Sequence, residues 1–220
     1  MTQHAPLFIV LLPVSAALLC MLFSRIQKNL GSWIVIASIA GAFLTAVSSL
    51  QQVIADGGKA LHYWMGNWQP PLGIEFVIDP ISGALAVLIT FIALLGSFYS
   101  LPFVKEEGWL HIGGYYTLYG LMTVGMCGMV ITGDVFNLYV FLEVMSLSGY
   151  GLIAIGGKKS MLAAFRYLLI GTIGASLYLL GVGYMYALTG TLNMADMAVR
   201  AAEFLNYPLF ALALACFVVG

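Results

Sequence analysis

A chain of 220 residues that is 62% hydrophobic and 8% charged falls far short of the quarter or so of charged residues that a soluble domain carries. Its eight basic and nine acidic side chains leave a net charge of −1, which offers nothing to a nucleic acid or another polyanion. The charges lie mostly in short connections between long apolar runs, and this is the composition of a membrane protein.

The first apolar run, 5–23, has no Lys or Arg before it and is too long for the hydrophobic region of a signal peptide, so it reads as a first span. Runs 33–53, 80–103, 112–131, 135–155 and 161–188 follow. Each is long enough, at about 17 residues or more, to be a membrane helix, and the six together predict an all-α polytopic membrane protein with a single transmembrane domain over 1–220. A seventh run opens at Pro208, a residue suited to the first turn of a helix, and reaches Gly220 after 13 residues. That is shorter than the hydrocarbon thickness, so 208–220 is expected to be a truncated span of a longer chain.

The connections carry their own signals. The stretch "HYWMGNWQPPLGIEFVID" is rich in Trp, Tyr, Gly and Pro, and predicts a short hairpin or irregular cap at the membrane interface, where aromatic residues form a belt. His62 and His111 stand at membrane edges with no second ligand at metal spacing, so no metal site is expected. Cys20, Cys127 and Cys216 lie far apart in apolar runs and read as small buried hydrophobes. Arg25, Lys28, Lys105, Lys158, Lys159 and Arg166 fall at connections one, three and five, against Lys59 and Arg200 at two and six. The excess of basic residues on cytoplasmic loops then predicts a multi-pass protein of the cell membrane with its N-terminus outside the cytoplasm and the Lys158–Lys159 turn inside.

Within the fifth run, "GDVFNLYVFLEVMSLSGYGLIAIGG", one carboxylate interrupts the apolar sequence: Glu143, near mid-membrane whichever end is counted. A charged residue at a helix centre costs about 2.5 to 3.5 kcal/mol on insertion scales, so it needs a partner, a proton or a water-filled cavity. Phe136, Tyr139, Ser146 and Tyr150 share its helical stripe at steps of three and four, which makes Tyr139 and Ser146 its nearest polar neighbours. Intramembrane carboxylates mark ion and proton paths, and this reading outweighs that of a neutral glutamate cross-linking two helices. Asp134 follows Gly133 at the helix start, where a carboxylate caps free N–H groups. Arg166, about a turn into the sixth run, reads as an interfacial anchor, with a place in a polar relay as its secondary role. Gly171, Gly174, Gly181 and Gly183 are small residues at spacings that permit close helix packing.

Together with "AAFRYLLIGTIGASLYLLGVGYMYALTGTLNMADMA" and "GNWQPPLGIEFVIDPISG", this stretch resembles the proton-translocating antiporter-like family: the D subunits of Mrp-type multisubunit Na+/H+ antiporters and the related membrane-arm subunits of respiratory complex I and membrane-bound hydrogenases. The likeness runs from about residue 64 onward. It implies the N-terminal portion of a fourteen-helix subunit with two inverted repeats of five helices, each with a broken helix. It further implies a glutamate on the fifth helix paired with a lysine on the broken seventh. Glu143 matches that glutamate by motif and helix number, and the lysine has no counterpart before Gly220. Arg166–Tyr167 stands where relatives often carry a basic residue followed by Tyr.

A cation beside such a carboxylate favours its charged form and desolvation favours its protonated form, so a moving charge could load and release a proton. The sequence shows no nucleophile with an adjacent base, no phosphate-binding glycine loop after a strand and no flavin or iron–sulfur ligand set. No cofactor is therefore expected, and any redox step would belong to partner subunits. Three functions fit: a proton- and cation-translocating subunit of a Na+(K+)/H+ antiporter, a proton-pumping membrane subunit of a complex I-like or hydrogenase complex, and a transport-inactive scaffold. The stretch "LTGTLNMADMA" points to the first. The expected partners are other membrane subunits, protons, monovalent cations and the bilayer.

Overall fold

The structure, a computed structural model, describes residues 4–27, 29–71, 73–104 and 109–220. Met1, Lys28 and Lys105, three positions used above for orientation, lie outside the described residues. Six long apolar helices form: α1 (Ala5–Ile26), α2 (Leu30–Ala55), α3 (Pro80–Val104), α4 (Trp109–Ile131), α5 (Val135–Ala154) and α6 (Lys158–Thr189). Two shorter helices, α7 (Met194–Ala201) and α8 (Pro208–Val219), follow. Between α2 and α3 a two-stranded antiparallel hairpin is built from β1 (Leu61–Trp64) and β2 (Glu75–Ile78). Several helices run past the edges of the apolar runs; α2 begins at Leu30 rather than 33 and α6 at Lys158 rather than 161. Apolarity measures the depth of hydrocarbon, whereas backbone hydrogen bonding continues into the interface.

Helix starts follow from local chemistry. Asp79 Oδ1 accepts from the Ser82 N–H at 2.7 Å while Ser82 Oγ accepts from the Asp79 N–H at 2.8 Å. With Pro80 at the first helical position, two free donors are satisfied reciprocally and α3 is fixed at its start. The Ser82 N–H holds the Asp79 carboxyl below its ordinary range. At the other end of the chain α6 stops at Gly190, whose φ of +69° is open to glycine at little cost and turns the backbone toward Asn193.

The packing core belongs mainly to α1 through α4. Ala16, Cys20, Val35, Ile36, Ile39, Ala93, Ile112 and Tyr116 form one cluster, and Ile9, Ala46, Val53, Ala86, Val124, Cys127 and Ile131 a second, closed at one end by Phe76 and Ile78 of β2. Small residues recur at the contacts, and Leu18, Leu22, Leu44, Ile81 and Ile92 point outward. This arrangement suits a lipid solvent, in which helices associate by close approach rather than by escaping water. Cys20, Cys127 and Cys216 are buried and free.

Strand alternation sorts the hairpin. Phe76 and Ile78 face the core, while Glu75 and Val77 share the opposite face with Trp64 and His62, their register partners. Bridges from Phe76 to Thr132 and from Asp134 to Asn193 then join the hairpin, the α4–α5 turn and the α6–α7 connection at one end of the bundle.

Candidate functional site

Glu143 is the ninth residue of the twenty in α5, so the helix places it at mid-length. It is half-buried and has no ion pair among the described residues. Tyr139, one turn earlier, brings its hydroxyl beside the Glu143 carboxylate. Its ring stacks on Tyr178 of α6 with centroids 6.4 Å apart and planes 8° from parallel, and Tyr178 in turn meets Phe217 of α8 at 5.1 Å. The Tyr178 hydroxyl donates to the Val135 carbonyl at 3.3 Å, tying α6 to the start of α5. Aromatic rings therefore fix the helix faces beside the acid without supplying it with a charge.

The other residues singled out from sequence separate. Ser146 lines a groove of about 370 Å³ with Met145, Gly149 and Tyr167. Tyr150 is buried and meets Tyr167 edge-on at 4.7 Å. Arg166 is exposed and, because α6 begins at Lys158, it stands two turns into the helix rather than one. No hydrogen bond or ion pair joins it to Glu143 among the described residues. Asp134 caps α5, accepting from the Asn137 N–H at 2.7 Å, and burial pushes its carboxyl up from the ordinary range.

A second carboxylate, which sequence reasoning passed over, is far better partnered. Glu75 is 6% exposed, and its Oε1 lies 2.6 Å from His62 Nδ1 and accepts from Trp64 Nε1 at 3.0 Å. Its Oε2 accepts from Asn193 Nδ2 at 3.0 Å across 118 positions of sequence. The Asn193 amide has a fixed orientation, because its Oδ1 accepts from the N–H groups of Ala195 and Asp196 at the start of α7. Main-chain bonds run alongside: Gly133 N–H to Glu75 O at 2.9 Å, Met194 N–H to Gly133 O at 2.9 Å and Val135 N–H to Leu192 O at 3.0 Å. A Cβ at Gly133 would lie 2.9 Å from Val77, so this crossing needs glycine. The sequence signal available was a carboxylate in period-two alternation within "GIEFVID"; the distant partner Asn193 left none. Among the described residues, no group of three His, Cys, Asp or Glu side chains could hold a metal ion.

Residues 132–220, which include Glu143, match the family described as "NADH:quinone oxidoreductase/Mrp antiporter, TM". The chain is 42% identical to the N subunit of the NADH-quinone oxidoreductase of Desulforudis audaxviator over all 220 residues, which span 44% of that protein. It is 34% identical over 167 residues to the D subunit of the Na(+)/H(+) antiporter of Alkalihalophilus pseudofirmus, covering 76% of this chain and 33% of that one. A chain in the structure of the membrane-bound sulfane sulfur reductase, an archaeal respiratory membrane complex, superposes with a TM-score of 0.91 at 30% identity, over 99% of this chain and 44% of that one. The chain thus spans under half the length of these relatives. With its six apolar helices and this likeness, it is a multi-pass membrane protein and belongs to the antiporter-like family shared by NADH:quinone oxidoreductases and Mrp antiporters.

Proposed function

We propose that the chain is the proton-handling part of an ion-translocating membrane subunit, and that Glu143 is its translocating carboxylate. The observation that carries this reading is an acid at the middle of a membrane-length helix with no internal ion pair among the described residues. Such a group has no fixed cationic partner, and a group that must exchange a proton has to be free to change partner. A basic side chain approaching Glu143 favours the carboxylate, and its departure favours the acid. Tyr139 is the hydroxyl placed to follow that change, Ser146 the polar position one turn onward, and Asp134 the cap that holds α5 in place. Arg166 supports the site only from the exposed side of α6.

In this proposal the partners are further membrane subunits, protons, monovalent cations and the bilayer. The 42% identity over the whole chain favours a respiratory proton pump as the assembly, and the 34% identity to an antiporter subunit keeps the cation/proton exchanger as the other reading. The hairpin end faces outward and the Lys158–Lys159 turn faces the cytoplasm of the cell membrane, an orientation that rests on the distribution of basic residues. Labelling of a single cysteine in that turn by an impermeant thiol reagent from outside intact cells would reverse it.

The test of function is Glu143→Gln in the assembled complex, with assembly scored separately. Gln keeps the shape and hydrogen-bonding capacity and removes the titratable charge. Normal assembly with most proton-coupled transport lost is the expected outcome, and Glu143→Asp should retain part of it. Undiminished transport by the Gln variant at matched protein levels would leave the chain a scaffold.

A further inference from the structure

The hairpin end holds a titratable pair that transport through Glu143 does not use. His62 forms part of the wall of two cavities: one of about 470 Å³ shared with His4 and Gln52, and one of about 260 Å³ shared with Glu75, Asp79 and Asn193. Its side chain is 51% exposed, whereas that of Glu75 is 8% exposed. One partner therefore meets water and the other is enclosed.

The donor inventory assigns the protons. Trp64 Nε1 can only donate, and Asn193 presents its NH2 to Glu75 because its oxygen is engaged by two backbone N–H groups. With Glu75 ionised, both its oxygens only accept, so His62 Nδ1 carries the hydrogen toward Oε1 and Nε2, on the half-exposed ring, is the position left to gain or lose a proton. Around the pair stand His4 at the start of α1, Tyr63 on β1, Asp79 before α3, Asp134 before α5, and Asp196 with Arg200 on α7, the last two paired at 3.0 Å.

We propose that His62 and Glu75 form a second proton-binding site, at the hairpin end of the bundle, whose charge state is passed through Asn193 and Gly133 to the turns that begin α5 and α7. Protonation of Nε2 turns a neutral-imidazole–carboxylate hydrogen bond into an imidazolium–carboxylate ion pair and draws Oε1 charge toward β1. The same carboxylate holds Asn193, and the backbone of Glu75 holds Gly133, two residues before the first residue of α5. A proton at the water-facing ring is thus felt where the helix of Glu143 starts. The site stands apart from the role given to Glu143, and its test uses no transport measurement.

The full-length protein in lipid nanodiscs, with histidine labelled and the His62 signal assigned by its loss in His62→Phe, reports the His62 imidazole by NMR between pH 5 and 8. The expected result is a one-step titration of the ring, with the Asn193 side-chain amide shifting at the same midpoint. In Glu75→Gln the Asn193 response should be lost while the ring still titrates, and in His62→Phe the Asn193 signal should be flat with pH. The second variant changes a half-exposed residue, so it decides the matter if the first does not fold. A ring that does not titrate in this range, an Asn193 signal that ignores the titration, or one that still follows it in Glu75→Gln or moves in His62→Phe overturns the proposal.

Discussion

Glu75 and Glu143 are the same side chain under opposite conditions. Glu75 sits at the end of the bundle with three donors on its two oxygens, in a knot of hairpin and turns. Glu143 sits at mid-helix beside tyrosine rings and has no ion pair among the described residues. Glu75 is surrounded by donors, of which Asn193 is itself fixed by two backbone bonds, whereas Glu143 is left open to a change of partner. The contrast extends to the helices, since α1 through α4 supply most of two buried clusters, to which α5 adds Phe141 as its buried member.

Apolar replacement of each acid is the strongest way to break this comparison. Glu143→Leu should abolish proton-coupled transport and leave the chain as stable as before, or up to about 2 kcal/mol more so, because it removes a half-buried acid that makes no ion pair among the described residues. Glu75→Leu should do the reverse. It strands the Trp64 and Asn193 donors and should cost about 3 kcal/mol in unfolding from detergent micelles. Equal losses of stability in the two variants would erase the distinction.

Smaller changes sharpen it. Gly133→Ala forces a methyl against Val77 where two chain segments cross, and should cost about 1 to 2 kcal/mol in the same assay. Asp134→Ala removes the α5 cap and should cost about 1 kcal/mol; a larger loss would show that Asp134 does more than cap.

The smallest effect is in acid. The Asp79 carboxyl is held low by the Ser82 N–H, so its contribution is present above its unfolded value and is lost as pH falls through the lower folded one. Asp134 is held high by burial, and its contribution runs the other way, declining as pH rises from the ordinary value toward the raised one. Asp79→Asn should therefore flatten the rise of stability with pH below about pH 4, and Asp134→Asn should steepen it above that point. Unfolding midpoints measured across that range check both signs.

The sequence by itself determined the membrane class, the helical segments and the mid-helix position of Glu143. These depend on apolar run length and on a rise per residue that is the same in every helix. The capping role of Asp134 was equally legible, because a cap bonds within three residues of itself. Arg166 lies about one turn into the apolar run but two turns into α6, because helical hydrogen bonding outruns apolarity into the interface. The tertiary structure alone decided that Glu75 meets Asn193 and that Gly133 lies between β2 and α7, since contacts between residues more than a hundred positions apart depend on how helices return to the same end of the bundle. It also decided that Tyr139 leans on Tyr178 and that Arg166 is exposed and forms no ion pair with Glu143 among the described residues, because period and spacing assign a residue to a face of its own helix and only packing chooses which neighbour that face meets.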